Sequence, residues 1–251
     1  MKKITLGLAM CGSFCTFSRV LDAFETLDRE IYELVPVMSQ ASFETDSRFG
    51  PAAQFRARLE ALCGHAIVHT IEEAEPFGPK KLLDALVIMP CTGNTLAKLA
   101  AGIADVPVTL AAKAHLRNER PVILAVSTND GLAGNAANLG ALLNRRGYYF
   151  VPFGQDSAFK KPRSLVADFT KLPQTVEAAL RGEQRRSLIA DRLRPPRARG
   201  ERQRPVSASV EGRFCRGGRR LSAPPPKWER AYGFAEDAYR ASAKLSMDAP
   251  R

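Results

Sequence analysis

The stretch Ala85-Leu-Val-Ile-Met-Pro-Cys-Thr-Gly-Asn-Thr-Leu-Ala-Lys-Leu-Ala (residues 85–100) decides the fold class. Its first five residues are apolar without alternation, and a second such run, Val122-Ile-Leu-Ala-Val, follows. Strands of this kind are buried on both faces, as in a parallel sheet covered by helices. Leu96, Leu99 and Ile103 then recur at helical spacing. The stretch indicates a strand that leads through a polar turn into a helix, which is the repeating unit of an α/β fold.

The same unit recurs along the first 190 residues. We predict strands at Ile4–Met10, Ile31–Ser39, Leu83–Met89, Val122–Ser127 and Tyr148–Phe153. Segments with helical spacing lie between them, and a last helix is predicted from Leu172 through about Arg186. The repetition predicts an α/β protein with a Rossmann-like (flavodoxin-like), doubly wound parallel sheet that carries helices on both faces.

The charge divides the chain into two regions. The formal net charge is +11, but residues 191–251 hold 15 Lys and Arg against 7 acidic residues. The first 190 residues therefore carry a net charge of only +3. The basic segment is rich in Arg and Pro and has little apolar periodicity, so it cannot bury enough surface to offset its ordering entropy. We predict an α/β domain over residues 1–190 and a disordered tail over residues 191–251.

The composition also indicates the cellular compartment. Five cysteines form no paired spacing in a chain too long to need disulfides, which favours a reducing, cytoplasmic location. The apolar run in residues 1–10 is too short for a secretory signal, and no stretch approaches the ~20 apolar residues of a membrane span. No His/Cys cluster has zinc spacing, so we predict no metal site.

Three polar loops follow predicted strands. Gly12 and Ser13 open the first helix, residues 92–95 read Thr-Gly-Asn-Thr, and residues 127–131 read Ser-Thr-Asn-Asp-Gly. Ligands of open α/β sheets bind at the carboxyl ends of strands, where helix N-termini suit phosphate. Each loop alone is also explained by a tight turn or a helix cap. Three such loops at one edge favour a binding pocket.

The ordinary nucleotide fingerprints, GxGxxG and the Walker motif, are absent. The Gly12-Ser13 loop and the stretch from Pro90 to Asp105 instead resemble the homo-oligomeric flavin-containing cysteine decarboxylase superfamily. Within it, several stretches resemble the B-subunit family of dipicolinate synthases. They are Thr45-Asp-Ser-Arg-Phe-Gly, Glu75-Pro-Phe-Gly-Pro-Lys, Ala111-Ala-Lys-Ala-His-Leu-Arg-Asn-Glu-Arg-Pro-Val and Pro152-Phe-Gly-Gln-Asp-Ser-Ala-Phe-Lys-Lys-Pro-Arg-Ser. The likeness runs from residue 3 to about residue 189.

This resemblance implies an FMN-binding domain and an oxidoreductase subunit that supports conversion of a dihydrodipicolinate-type intermediate to dipicolinate. It also implies a homo-oligomer, a partner A subunit that carries NAD(P), and the mother-cell cytoplasm of a sporulating bacterium. Motif matching places the flavin against Gly12, Ser13, Ser39, Thr92, Asn94 and Thr95, with Ser127, Thr128 and Asn129 closing the site. For Ser39, a hydrogen bond to backbone at the strand end is an equal alternative.

The implied substrate carries two carboxylates, for which Arg is the natural bidentate partner. Arg48 and the pair Lys160-Lys161 are the preferred candidates, because turn-forming Gly and Pro residues flank them. Each is also explained as a solvated surface charge. The sequence assigns no catalytic acid or base, since His65, His69 and His115 lie outside the Gly-Ser loop. That placement disfavours the histidine-dependent decarboxylation of the superfamily.

Two other functions stay open. One is another FMN-dependent activity of the superfamily, either a decarboxylase or an enzyme similar to the flavin prenyltransferases. The other is nucleic-acid binding through the basic tail, because Arg-rich segments bind phosphate backbones. The composition of the tail also suits a frameshifted or read-through coding end.

Overall fold

A central sheet of mostly parallel strands organises the molecule, which is described over residues 2–189 by a computed structural model. Seven strands form the sheet: β1 (Ile4–Met10), β2 (Tyr32–Met38), β3 (Ala85–Cys91), β4 (Val122–Thr128), β5 (Tyr148–Phe150), β6 (Phe153–Ser157) and β7 (Lys161–Ala167). Their order is β2-β1-β3-β4-β7-β6, and β5 pairs with β4 off this path. The pairs among β1 to β5 are all parallel, so the predicted α/β sheet is confirmed.

The buried strands β1, β3 and β4 hold the centre of the core. Every residue of β3 is buried, as are the first six residues of β4. These are the two runs whose lack of alternation indicated burial on both faces. Between Ile88 and Cys91 the pairing of β3 with β4 shifts register, at a segment that contains Pro90. A proline has no N–H to donate to the ladder, so regular pairing cannot continue through it.

The far edge of the sheet differs from the prediction. The strand expected over residues 148–153 is two strands, since β5 ends at Phe150 and β6 begins at Phe153. Pro152, which cannot donate a ladder hydrogen bond, lies between them. Strand β7, which the sequence did not predict, pairs antiparallel with β6 and with the end of β4. The sheet is therefore mixed, with a hairpin at the edge of a parallel core.

Eight α-helices of residues 2–189 flank the sheet: α1 (Phe17–Glu25), α2 (Gln40–Glu44), α3 (Ala52–Cys63), α4 (Ile71–Ala74), α5 (Gly93–Ala101), α6 (Pro107–Arg117), α7 (Ala136–Leu143) and α8 (Leu172–Leu180). Helix α6 packs on β2, β3 and β4, and α8 packs on β3, β4 and β5. The predicted last helix ends at Leu180 instead of Arg186, and Gly182 just beyond it has the left-handed φ of 76° that commonly follows a helix end.

The predicted tail, residues 191–251, lies outside the described residues. None of the helices in residues 2–189 has the length and apolar character needed to cross a membrane.

Candidate functional site

A cavity of about 740 Å³ opens at the carboxyl ends of β1, β3 and β4. The three polar loops of the sequence all line it, together with the 45–50 loop and strand β7. Of the nine residues proposed to contact a flavin, seven line the cavity: Gly12, Ser13, Thr92, Asn94, Ser127, Thr128 and Asn129. Its volume is within the ~300–1,000 Å³ that is usual for small-molecule and cofactor sites.

The first loop joins β1 to α1 through Gly12 and Ser13. The Ser13 side chain does not cap the short 3-10 turn that follows (residues 14–16). The Ser13 hydroxyl is instead 2.9 Å from the Ser127 hydroxyl of β4. The first and third loops therefore meet directly at the cavity.

The second loop joins β3 to α5 and combines a helix cap with a polar side chain that faces the cavity. Thr92 is the N-cap of α5, where its hydroxyl accepts from the Thr95 N–H at 3.3 Å and lies 3.0 Å from the Thr95 hydroxyl. Thr95 is only 7% exposed and does not line the cavity. Asn94 is exposed and lines the cavity, where it supplies an amide. The helix cap thus accounts for Thr92 and Thr95, and the side chain of Asn94 remains available to contact a ligand.

The third loop contains a hydrogen-bonded network that the sequence did not single out. The Asp130 carboxylate accepts from the Thr128 hydroxyl at 2.5 Å and from the Asn135 amide at 2.7 Å. These two hydrogen bonds, the one from Thr128 above all, hold the pKa of Asp130 below its ordinary value. Asp130 and Asn135 line the cavity beside the predicted Asn129. Asp130 is thus an anion with a fixed orientation at this wall.

Gly93 packs directly against this network. A Cβ built at Gly93 would lie 2.5 Å from the Asn135 amide nitrogen, 2.7 Å from the Thr128 hydroxyl and 2.9 Å from the Asp130 carboxylate. The absence of a side chain therefore lets the start of α5 approach the third loop. The second and third loops form one continuous polar wall.

Ser39 is not among the cavity residues. Its side chain caps α2, accepting from the Ser42 N–H at 3.3 Å, and it lies 2.9 Å from the Ser42 hydroxyl. This is the backbone-bonding alternative that the sequence left open for it.

Some of the candidate carboxylate-binding residues line the cavity and others do not. Arg48 and Lys161 line the cavity, whereas Lys160 does not. The Lys161 ammonium lies 2.6 Å from the Asp156 carboxylate, and this hydrogen bond raises the pKa of Lys161. Arg19, which was not among the predicted residues, also lines the cavity. No local pattern distinguishes Arg19 from the other surface cations of the chain.

The cysteines divide between cavity and core. Cys15 is exposed and lines the cavity, while Cys11, Cys63 and Cys91 are buried. Burial raises the pKa of Cys11 to about 11, although a hydrogen bond with Thr95 opposes the shift, and it raises the pKa of Cys91 well above its ordinary value. The buried thiols are therefore protonated near neutral pH and behave as small apolar side chains. Residues 2–189 contain no group of three or more His, Cys, Asp or Glu side chains arranged to hold a metal ion.

A second cavity of about 760 Å³ lies at the amino ends of β4 and β5. Lys113, Arg120, Arg145, Arg146 and Tyr148 are among its lining residues, and none of the proposed flavin ligands is.

The fold and the polar cavity at its strand ends define a class of protein. The family model described as Flavoprotein matches residues 1–151, and the chain belongs to this family.

Among individual relatives, the B subunit of dipicolinate synthase from Bacillus subtilis (strain 168) is 43% identical over 191 residues, which is 76% of this chain and 96% of the relative. The crystal structure of the corresponding B subunit from Bacillus halodurans matches with a TM-score of 0.69 and 39% identity, over 76% of this chain and 99% of that one. The FMN-dependent cysteine decarboxylase SpaF matches with a TM-score of 0.51 and 26% identity, over 70% of this chain and 95% of that one. The resemblance found in the sequence motifs is thereby confirmed.

Proposed function

We propose that this chain binds FMN in the 740 Å³ cavity and acts as the flavoprotein subunit of a dipicolinate synthase. In this role it supports oxidation of a dihydrodipicolinate-type intermediate to dipicolinate (pyridine-2,6-dicarboxylate) during sporulation. The observation that carries the proposal is that seven of the nine motif-matched residues, from three separate loops, line a single cavity. The similarity to the B subunits of two dipicolinate synthases supports the substrate assignment.

The residues of the cavity fit a flavin mononucleotide. Gly12 allows a close approach to the backbone, Ser13 supplies a hydroxyl and Asn94 supplies an amide. These groups lie at the starts of helices, where a phosphate binds readily. The close approach of Gly93 to the Asp130 network joins the second and third loops into one polar wall, beside which the flavin would lie. A bound flavin supplies a ring that can take up or deliver a hydride.

The chain itself would bind and orient the substrate beside the flavin. A substrate with two carboxylates needs cationic partners, and Arg48 is a cation at the cavity. We further propose that the chain assembles as a homo-oligomer, that it works with an A subunit that carries NAD(P), and that both act in the mother-cell cytoplasm. The name of the B-subunit relatives supports the existence of a partner subunit.

The decisive experiment combines cofactor identification with reconstitution. Purified chain should release stoichiometric FMN, or take it up when added, and should support dipicolinate formation when mixed with the A subunit and NAD(P). A chain that binds no flavin and adds nothing to dipicolinate formation by the A subunit would refute the proposal.

A second candidate is an FMN-dependent decarboxylase, which the similarity to SpaF favours. Against it, none of the three histidines is among the residues that line the cavity, and His115 is buried elsewhere. Conversion of a peptidyl-cysteine substrate by this chain without a partner would establish the decarboxylase and displace the synthase.

A further inference from the structure

Three cationic side chains line the flavin cavity: Arg19, Arg48 and Lys161. The positive charge of Lys161 is compensated by Asp156. The Asp156 carboxylate lies 2.6 Å from the Lys161 ammonium, and Asp156 also lines the cavity. Arg19 and Arg48 form no ion pair with any acidic side chain in residues 2–189. The cations of the cavity that form no ion pair are therefore the two guanidinium groups, and the Asp130 carboxylate, hydrogen-bonded to Thr128 and Asn135, is the unpaired anion of the same lining.

Each guanidinium group lies over an aromatic ring, which is buried for Arg19 (Phe169) and exposed for Arg48 (Phe49). Arg19 lies over the ring of Phe169 at 5.2 Å from the centroid, and Arg48 lies over the ring of Phe49 at 4.9 Å. Phe169 is 3% exposed and is fixed in the core. Stacking occupies the face of a guanidinium and leaves its N–H edge free. A carboxylate binds to that edge through two parallel hydrogen bonds.

The two arginines come from different parts of the chain, and each is set in ordered backbone. Arg19 is in the first turn of α1, just after the Gly12-Ser13 loop. Arg48 is in a tight turn closed by two hydrogen bonds between Ser47 and Gly50, at 3.1 and 3.0 Å. The backbone positions of both arginines are therefore set by the fold, and their exposed side chains are accessible to a ligand.

We propose that Arg19 and Arg48 each bind one carboxylate of the substrate, so that together they select a ring with two carboxylates over a ring with one. This inference rests on the proposed function, and it adds Arg19 as a specificity-determining residue while removing the Lys160-Lys161 pair from that role. The neutral hydroxyl and amide donors of the three loops are left for the flavin phosphate. The cavity thus separates phosphate recognition from carboxylate recognition.

The test compares two small probes by titration calorimetry on the full chain, with and without bound FMN. The probes are pyridine-2,6-dicarboxylate and pyridine-2-carboxylate, which differ by one carboxylate. The variants are Arg19→Gln and Arg48→Gln, with Arg146→Gln as the matched control, because Arg146 lines the second cavity and forms no ion pair in the described part of the chain. FMN affinity is measured separately by quenching of flavin fluorescence.

Each cavity variant should weaken binding of the dicarboxylate roughly ten- to one-hundredfold, as expected for the loss of a charge-assisted hydrogen-bonded pair. Binding of the monocarboxylate should change less, so the preference for the dicarboxylate should shrink. FMN affinity and the Arg146→Gln control should stay within about twofold of the wild type, since neither involves the lost contact. Arg19→Lys and Arg48→Lys, which keep the charge without the planar fork, should give intermediate losses of dicarboxylate affinity.

Three results would overturn the inference while leaving FMN binding intact. They are failure of the wild type to bind the dicarboxylate, equal losses for both probes, or no loss in either Gln variant. Weakened FMN binding with unchanged dicarboxylate binding would assign the arginines to the flavin phosphate instead, and would also overturn it. Absence of FMN binding in the wild type is a separate result. It refutes the proposed function, and the FMN-free titrations still decide whether the two arginines bind the dicarboxylate.

Discussion

The hydroxyl oxygens of Ser13 and Ser127 lie 2.9 Å apart, although 114 positions separate the two residues in the sequence. Ser13 follows β1 and Ser127 is near the end of β4, and β3 lies between these two strands in the sheet. The contact therefore spans the carboxyl end of β3 and joins the first and third polar loops. The two hydroxyls are hydrogen-bonded to each other. A ligand that bonds to one of them therefore affects the hydrogen bonding of the other.

Removing either hydroxyl should reveal that coupling. Ser13→Ala and Ser127→Ala should each lower the free energy of unfolding of the flavin-free chain by about 0.5–1.5 kcal/mol, and the double variant by clearly less than the sum. Each should also weaken FMN binding. Urea unfolding and FMN titration of the four proteins measure both effects. Strictly additive losses in unfolding free energy would show that the hydrogen bond between the two serines contributes nothing to the folded state.

Gly93 should tolerate no side chain. Gly93→Ala places a Cβ within 3 Å of the side chains of Asn135, Thr128 and Asp130, so either this hydrogen-bonded network or the start of α5 must shift. We expect a loss of about 1–3 kcal/mol in unfolding free energy, as for other overpacked sites, and a marked loss of FMN affinity. Urea unfolding and flavin fluorescence are the measurements.

Gly140→Ala is the matched control for that substitution. Gly140 lies within α7, and nothing is within 4 Å of a Cβ built there. Because alanine favours helix more than glycine does, the control should stabilise the chain by up to about 1 kcal/mol and leave FMN binding unchanged. Equal behaviour of the two alanine variants would contradict the close packing between Gly93 and the network.

The thiol of Cys15 should report occupancy of the cavity. In a Cys215→Ser background, a disulfide reagent at pH 8 should modify Cys15 quickly, because it is exposed to the cavity. Cys11, Cys63 and Cys91 should react only on unfolding, since burial raises their pKa and denies access. Added FMN should slow the fast reaction, and Cys15→Ser should abolish it. Rapid modification of a second thiol in the folded protein would contradict the burial of the other three.

The local sequence pattern was sufficient to predict much of the fold, because each parallel strand is marked by its own run of apolar residues. Strand β1 has the predicted bounds, β2 and β3 differ from theirs by one or two residues at each end, and β4 begins at the predicted Val122 and ends one residue later than predicted. Strand β7 was missed because its first half, Lys161-Pro-Arg, is exposed and polar, so no apolar run marks its start. The hairpin it forms with β6 depends on pairing with β4, which is a tertiary contact.

The candidate site shows the same division between local and tertiary information. Residues at strand ends, such as Ser13 and Ser127, could be proposed because topology alone brings strand ends to one edge. Ser39 and Thr95 share that local signature, but their hydroxyls bond to the nearby Ser42 and Thr92, and neither residue lines the cavity. Arg19 could not be proposed from the sequence, because the Phe169 ring over which its guanidinium lies is 150 positions further along the chain. Sequence therefore identifies the edge of the sheet at which the candidate site lies, and packing decides which side chains reach the cavity.

His115 should make the stability of the chain depend on pH. Its side chain is 1% exposed, and its Nε2 is the buried polar side-chain atom in the described residues that has no hydrogen-bond partner. Burial, together with the charge of Arg120, lowers the pKa of His115 from 6.5 to about 4. Below pH 6.5 the unfolded chain takes up a proton at this position and the folded chain does not, so the free energy of unfolding falls as the pH decreases, until the pH reaches about 4. One pKa unit corresponds to about 1.4 kcal/mol, so this residue should account for a loss of about 2 kcal/mol between pH 7 and pH 5.

His115→Leu removes both the titration and the unpaired nitrogen, and urea unfolding at several pH values should show a flatter profile for this variant over that interval. An equally steep profile in the variant would show that His115 is protonated as easily in the folded chain as in the unfolded one.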